Sequence, residues 1–159
     1  MTEYLIKKTK VVIFEHKHRV SKFLTRFITN LIERSVIHDD SKLGPDELGP
    51  YSEAIEEFGK YSFGSEEHEK LLVALGPAID LHRKKNRHHP EYFETGIHEM
   101  DLTDIIEMLV DWKAASLNNG QSGDLMNSIN IQCERYDISP QLKQILINTA
   151  RNFGMIDNR

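Results

Sequence analysis

The sequence predicts an all-α protein, a single-domain helical bundle of about six or seven helices over residues 1–159. Three observations predict it. Apolar residues recur at spacings of three and four through most of the chain, the period of an amphipathic helix. Gly, Pro, Ser and Asp stand where helices should start and stop. No segment shows the strict apolar–polar alternation of a half-buried strand.

At the N-terminal end, Val12, Val20, Phe23, Phe27 and Leu31 form one stripe, which predicts a long first helix with a buried face. A short helical stretch is expected from Asn30 to His38. Gly44-Pro45 breaks the chain, and Pro45 suits the first turn of a new helix reaching about Phe58. Ser65, with Glu66 and Glu67 behind it, reads as another start. Gly76-Pro77 should kink or split the helical segment that it interrupts. The stretch from Asn86 to Met100, with Pro90 and Gly96, reads as irregular. Asp101 to Ser116 is a helix with the stripe Leu102, Ile105, Ile106, Leu109 and Trp112. Asn118 to Gly123 is a polar turn. Two helices close the chain, Asp124 to about Tyr136 and Pro140 to about Phe153. Ser139 is the N-cap of the second.

A chain of 159 residues suits one domain and can bury a sizeable core. No apolar run approaches the roughly 18 residues that span a bilayer, so no membrane association is expected. MTEYLIKKTK lacks the features of a signal peptide. The single Cys133 excludes an internal disulfide and reads as core packing. A cytoplasmic location is the expectation. The net charge of −5 argues against duplex DNA as a main partner, because that affinity comes from neutralising phosphates. A small phosphorylated substrate needs only a local basic pocket. A homo-oligomer is compatible with all of this.

Eight histidines fall between His16 and His98, and the last third of the chain has none. That bias suggests a metal site. His38-Asp39 joins a neutral nitrogen ligand to a hard anionic one, within His38-Asp39-Asp40-Ser41-Lys42. Alone, the pair would read as a capped helix end. Upstream, His16 is four residues from both Val12 and Val20 and shares their face. His18 is rotated about 200° from it and should point to the surface. Downstream, Asp111 lies near an apolar helix face, where a carboxylate must be paired, hydrogen-bonded or metal-bound. Between them stand His82, His88 and His89. His82 and His89 share a face if the helix persists, and His88 turns inward if it ends near Asn86. Lys42 could contact a phosphate or pair with Asp46 or Glu47. Arg83, Lys84 and Arg87 are weaker phosphate candidates, beside the bland reading of a basic helix end. Glu107 could orient a ligand or lie on the surface.

The ordered set His16, His38-Asp39 and Asp111 resembles the H…HD…D signature of the HD superfamily of metal-dependent phosphohydrolases. The wording is closer still to short phage and bacterial HD-like proteins, in HDDSK with PDEL behind it, NRHHPEYF, EMLVDW and SINIQCERYDISPQLKQILINTA. The likeness covers most of the chain. It implies a helical bundle that hydrolyses phosphate esters, often nucleotides, as mono- or diesters through a metal-activated water. His16, His38, Asp39 and Asp111 would hold a first metal, with Asp39 also catalytic and Lys42 assisting. His82 with His88 or His89 occupies the interval where two-metal members add histidines. Mixed imidazole and carboxylate ligands favour Mn, Fe, Co, Ni or Zn over Mg. The Gly-Tyr-Pro extension of cyclic-dinucleotide phosphodiesterases is absent. The alternative is a non-catalytic helical module that its metal stabilises and that binds or sequesters a nucleotide or a protein partner.

Overall fold

The computed structural model describes residues 2–58, 60–61, 64–117 and 124–156. The described residues form seven α-helices and three short 3₁₀ turns, with no strand among them. The polar turn expected at residues 118–123 lies outside the described residues. The chain divides into two compact units, Met1–His38 and Asp39–Arg159.

The first unit is one helix, α1 (Glu3–Ile37). The separate helix expected from Asn30 is instead its continuation. Asn30 Oδ1 accepts a hydrogen bond from Arg34 Nε at 3.0 Å, one turn on. The side chain that competes with helical backbone bonds is thereby used along the helix. No Gly or Pro interrupts the run before Gly44. No residue of α1 is buried. Val12, Val20, Phe23 and Phe27 form the expected stripe but are exposed. Within this unit no second element covers the stripe, because a period identifies an apolar side and not what covers it.

The second unit opens with a 3₁₀ turn (Asp40–Leu43). Next come α2 (Pro45–Phe58), α3 (Glu66–Ala74) and α4 (Gly76–Lys85). The irregular stretch holds two further 3₁₀ turns, Pro90–Tyr92 and Gly96–Glu99. α5 (Leu102–Leu117), α6 (Leu125–Arg135) and α7 (Pro140–Asn152) complete the unit. Gly76-Pro77 splits the chain between α3 and α4, and Pro77 falls in the first turn, where a missing N–H costs no bond. Ser65 Oγ accepts from His68 N and Ser139 Oγ from Leu142 N, both at 3.2 Å. Each such cap contributes about 1 kcal/mol.

The main core joins α5, α6 and α7 through Met108, Leu109, Trp112, Leu125, Ile129 and Leu146. Cys133 packs there as expected. Leu102 and Ile106 of the predicted α5 stripe are exposed, and Met108 takes a buried place instead. A smaller cluster of Ala54, Leu75 and Ile79 joins α2 to the α3–α4 corner. A cavity of about 1000 Å³ draws its walls from both clusters.

Candidate metal centre

Asp39 begins the second unit with φ 60° and ψ 11°, in the left-handed region. Asp tolerates that region better than most residues, because its short side chain bonds locally. The turn puts its carboxylate against α4 and the loop behind it. Asp39 Oδ1 lies 3.2 Å from His82 Nε2 and 3.4 Å from His88 Nε2. Its other oxygen, Oδ2, accepts from Lys42 Nζ at 2.6 Å.

Behind each imidazole stands a carboxylate. His82 Nδ1 is 3.1 Å from Oε2 of Glu47, which is 0% exposed. Ser41 Oγ donates to that same oxygen at 3.1 Å. His88 Nδ1 is 3.3 Å from Glu107 Oε1. A carboxylate only accepts, and each imidazole stands between two of them, so each ring donates at Nδ1 or at Nε2, or at both when protonated. A ring protonated on Nδ1 alone turns its Nε2 lone pair towards Asp39, whereas one protonated on Nε2 donates to it. With both rings protonated on Nδ1 alone, three acceptors meet at Asp39 Oδ1, which lies 3.2 and 3.4 Å from the two Nε2 atoms, and they repel one another unless a cation sits among them, either further protons on the imidazoles or a metal ion.

His89 completes the cluster. The rings of His82, His88 and His89 have centroids 4.2 to 5.8 Å apart. One nitrogen from each can be chosen so that all three lie within 4.8 Å of one another. The helix ends at Lys85, as His88 turning inward required, and His88 is 2% exposed. Asn86 closes the helix, donating to the His82 carbonyl at 2.7 Å and to Ser41 Oγ at 2.8 Å. His89 also turns inward, and both loop histidines join His82.

Arg87, between Asn86 and the paired histidines, fixes this loop to α5. Its Nε and Nη2 donate to the two oxygens of the fully buried Asp104 at 3.0 and 2.8 Å. Asp101 caps α5 by accepting from Thr103 N and Asp104 N at 2.8 and 2.9 Å. Glu107 and Asp111 lie further along the same helix, one and two turns after Asp104. The clamp therefore registers the His88 loop against Glu107.

Burial would raise the Asp39 carboxyl, but the His82 and His88 imidazoles and the Lys42 ammonium outweigh it and hold the group well below the usual carboxylate range. Burial and the neighbouring His88 and His82 push His89 down to about 2, so its imidazole is neutral and able to ligate. Burial, with Glu47 and Asp39 nearby, pushes the Tyr51 hydroxyl up to about 12.

The other expected positions fall into distinct environments. Asp111 is half-buried and lines the cavity, as do Lys42, Arg83 and His89. Lys42 pairs with Asp39, and neither of its expected partners, Asp46 or Glu47, takes that place. Lys84 is exposed and lies outside the cavity lining. Arg87 also lies outside it, and Asp104 holds its fork. His38 is the half-buried C-cap of α1. His16 lies in the middle of α1 and is exposed, as is His18. His16 shares its face with the apolar stripe of α1, as its spacing from Val12 and Val20 required. Sequence reasoning missed Glu47, whose approach to His82 spans 35 residues. Its one signal was a carboxylate within a turn of the Gly44-Pro45 break.

The donors fit a divalent transition metal. Asp39, His82, His88 and His89 supply borderline nitrogen and hard oxygen ligands. His89 Nε2 is buried with no hydrogen-bond partner among the described residues. No described helix is long and apolar enough to cross a membrane. No curated protein and no solved structure matches the chain. A family profile matches residues 6–152, and the chain belongs to that family, which is described as a family of unknown function (DUF5662).

Proposed function

We propose that this protein is a metal-dependent phosphohydrolase acting on a nucleotide or a related small phosphate ester in the cytoplasm. One observation carries the reading: two carboxylate-backed imidazoles, His82 on Glu47 and His88 on Glu107, converge on one oxygen of Asp39. Such outer carboxylates fix the tautomer of metal-binding histidines and raise their basicity. The likeness to HD phosphohydrolases, which rests on His16, His38-Asp39 and Asp111, supports the same chemistry.

Asp39, His82, His88 and His89 would hold one or two divalent ions, and the likeness adds His16, His38 and Asp111 to the set. When bound, such an ion brings the pKa of a water to about 7 and withdraws charge from a phosphoryl oxygen. Lys42 restrains Asp39 through its ammonium and presents the same charge to the cavity. Arg83 adds a second cation on the cavity wall. The Arg87–Asp104 clamp keeps the His88 loop in register with Glu107.

The test is metal content and turnover together. Protein purified without chelator should carry a divalent metal and hydrolyse nucleotides or a generic phosphodiester with added Mn²⁺. Asp39→Ala should abolish both while the far-UV circular dichroism stays native. Metal-free protein whose melting no divalent ion changes, and which turns over nothing with any of them, overturns the reading.

A further inference from the structure

Tyr51 comes one turn after Glu47 on α2. Residues at that spacing stand on one face of a helix, and both meet His82. Glu47 holds Nδ1 of the imidazole, whereas the Tyr51 ring meets it edge-on, with centroids 6.3 Å apart and planes at 79°. Lys42 Nζ lies 5.3 Å from the centre of the same tyrosine ring. The ring also packs against the cluster of Ala54, Leu75 and Ile79. An imidazole, an ammonium and an apolar cluster together fix the axis of this side chain. A phenol carries its oxygen on that axis, so even a flipping ring keeps its hydroxyl in one place.

The hydroxyl itself has no structural task. The Tyr136 hydroxyl donates to Glu91, at 3.0 and 3.2 Å from its two oxygens. No hydrogen bond among the described residues uses the hydroxyl of Tyr51. Tyr51 lines the cavity beside Lys42, Arg83 and His89, and its hydroxyl lies within the electrostatic reach of Asp39, Glu47 and Arg83. At neutral pH a tyrosine hydroxyl is a donor. The nearby carboxylates already receive other donors, Asp39 Oδ2 from Lys42 and Glu47 Oε2 from Ser41. A ligand that meets this corner therefore finds two donors close together, one charged and one neutral. A phosphoryl group carries several outer oxygens and can accept from both at once.

We infer that Tyr51 is a substrate-binding residue: its hydroxyl donates a hydrogen bond to a non-bridging phosphoryl oxygen, beside the Lys42 ammonium and the Asp39 centre. The inference rests on the phosphohydrolase reading for the identity of the anion. It makes recognition of the phosphoryl group a shared task of a cation from the 3₁₀ turn and a neutral donor from α2. That recognition does not depend on what the phosphate is attached to, so inorganic phosphate alone is a sufficient probe.

Calorimetric titration of the full chain with inorganic phosphate, in the presence of Mn²⁺, tests this. Wild type should bind phosphate. Tyr51→Phe removes one oxygen and keeps the ring against His82 and Lys42. It should weaken phosphate about tenfold, the loss expected when a charged group gives up one hydrogen bond. Its kcat/KM for a phosphate ester should fall by a similar factor. Its melting temperature, and its Mn²⁺ affinity measured with a chromophoric chelator, should stay at wild-type values. Wild-type protein that binds no phosphate at millimolar concentration overturns the inference, as does a variant that binds it as tightly as wild type. A variant that loses Mn²⁺ and phosphate affinity in proportion also overturns it, because the tyrosine then acts only through His82. Failure of the phosphohydrolase reading looks different: phosphate binding depends on Tyr51, and no ester is turned over.

Discussion

The second unit buries two regions by opposite means. Around α5, α6 and α7 the interior is apolar, with Met108, Leu125 and Ile129 fully enclosed. Each such side chain contributes about 1.5–3 kcal/mol through burial alone. Around α2, α4 and the loop after α4 the interior is polar, and Glu47, His82 and His88 are as deeply enclosed as the core leucines. Burying such groups costs free energy that only pairing offsets. The apolar region is therefore stable whatever is bound, whereas the polar one depends on what neutralises its converging acceptors.

The sharpest way to break this comparison is to mutate one residue from each region and melt the variants with and without Mn²⁺. Leu125→Ala leaves a cavity in the apolar core and should cost about 2–5 kcal/mol, to the same extent in both conditions. His88→Ala should change the metal-free melt less and erase the stabilisation that Mn²⁺ gives wild type through linkage. Equal Mn²⁺ stabilisation in His88→Ala and wild type would show that the polar region is not organised around a cation.

A smaller effect is expected from the groups behind the histidines. Glu107→Gln and Glu47→Gln keep shape and hydrogen-bonding capacity but remove the charge that orients Nδ1. Each should weaken metal binding about 10–100-fold, measured by competition with a chromophoric chelator. Unchanged affinity in both would mean that Nδ1 protonation does not depend on these carboxylates.

The distinction between the regions also explains what the sequence made legible. Local signals read well: Ser65, Ser139 and Pro77 mark helix starts that the structure contains, because capping depends on neighbours within a turn. The grouping of His82, His88 and His89 was visible because a loop of a few residues keeps them close. Glu47 behind His82 was not, since that contact joins α2 to α4 and no periodicity encodes it. The exposed stripe of α1 marks the same limit from the other side. Its apolar period is plain in the sequence, but the covering surface is a tertiary property.

The smallest effect separates two lysines, Lys42 and the weaker phosphate candidate Lys84. Lys42 touches Asp39 at 2.6 Å and lines the cavity, while Lys84 is exposed and outside it. Lys42→Met removes a charge that helps to keep Asp39 ionised and, under the proposed function, a donor for a phosphate oxygen. Charge-assisted bonds of this kind are about twice as strong as neutral ones, so kcat/KM for a phosphate ester should fall about tenfold, a change of about 1.4 kcal/mol. Lys84→Met removes the same charge from a solvated position. Surface changes of that kind stay within about 0.5 kcal/mol, roughly a twofold change. Steady-state kinetics on the two variants side by side decides the matter: equal losses would mean that the basic run acts as a diffuse field, and a loss confined to Lys42 would tie the positive charge to the Asp39 carboxylate.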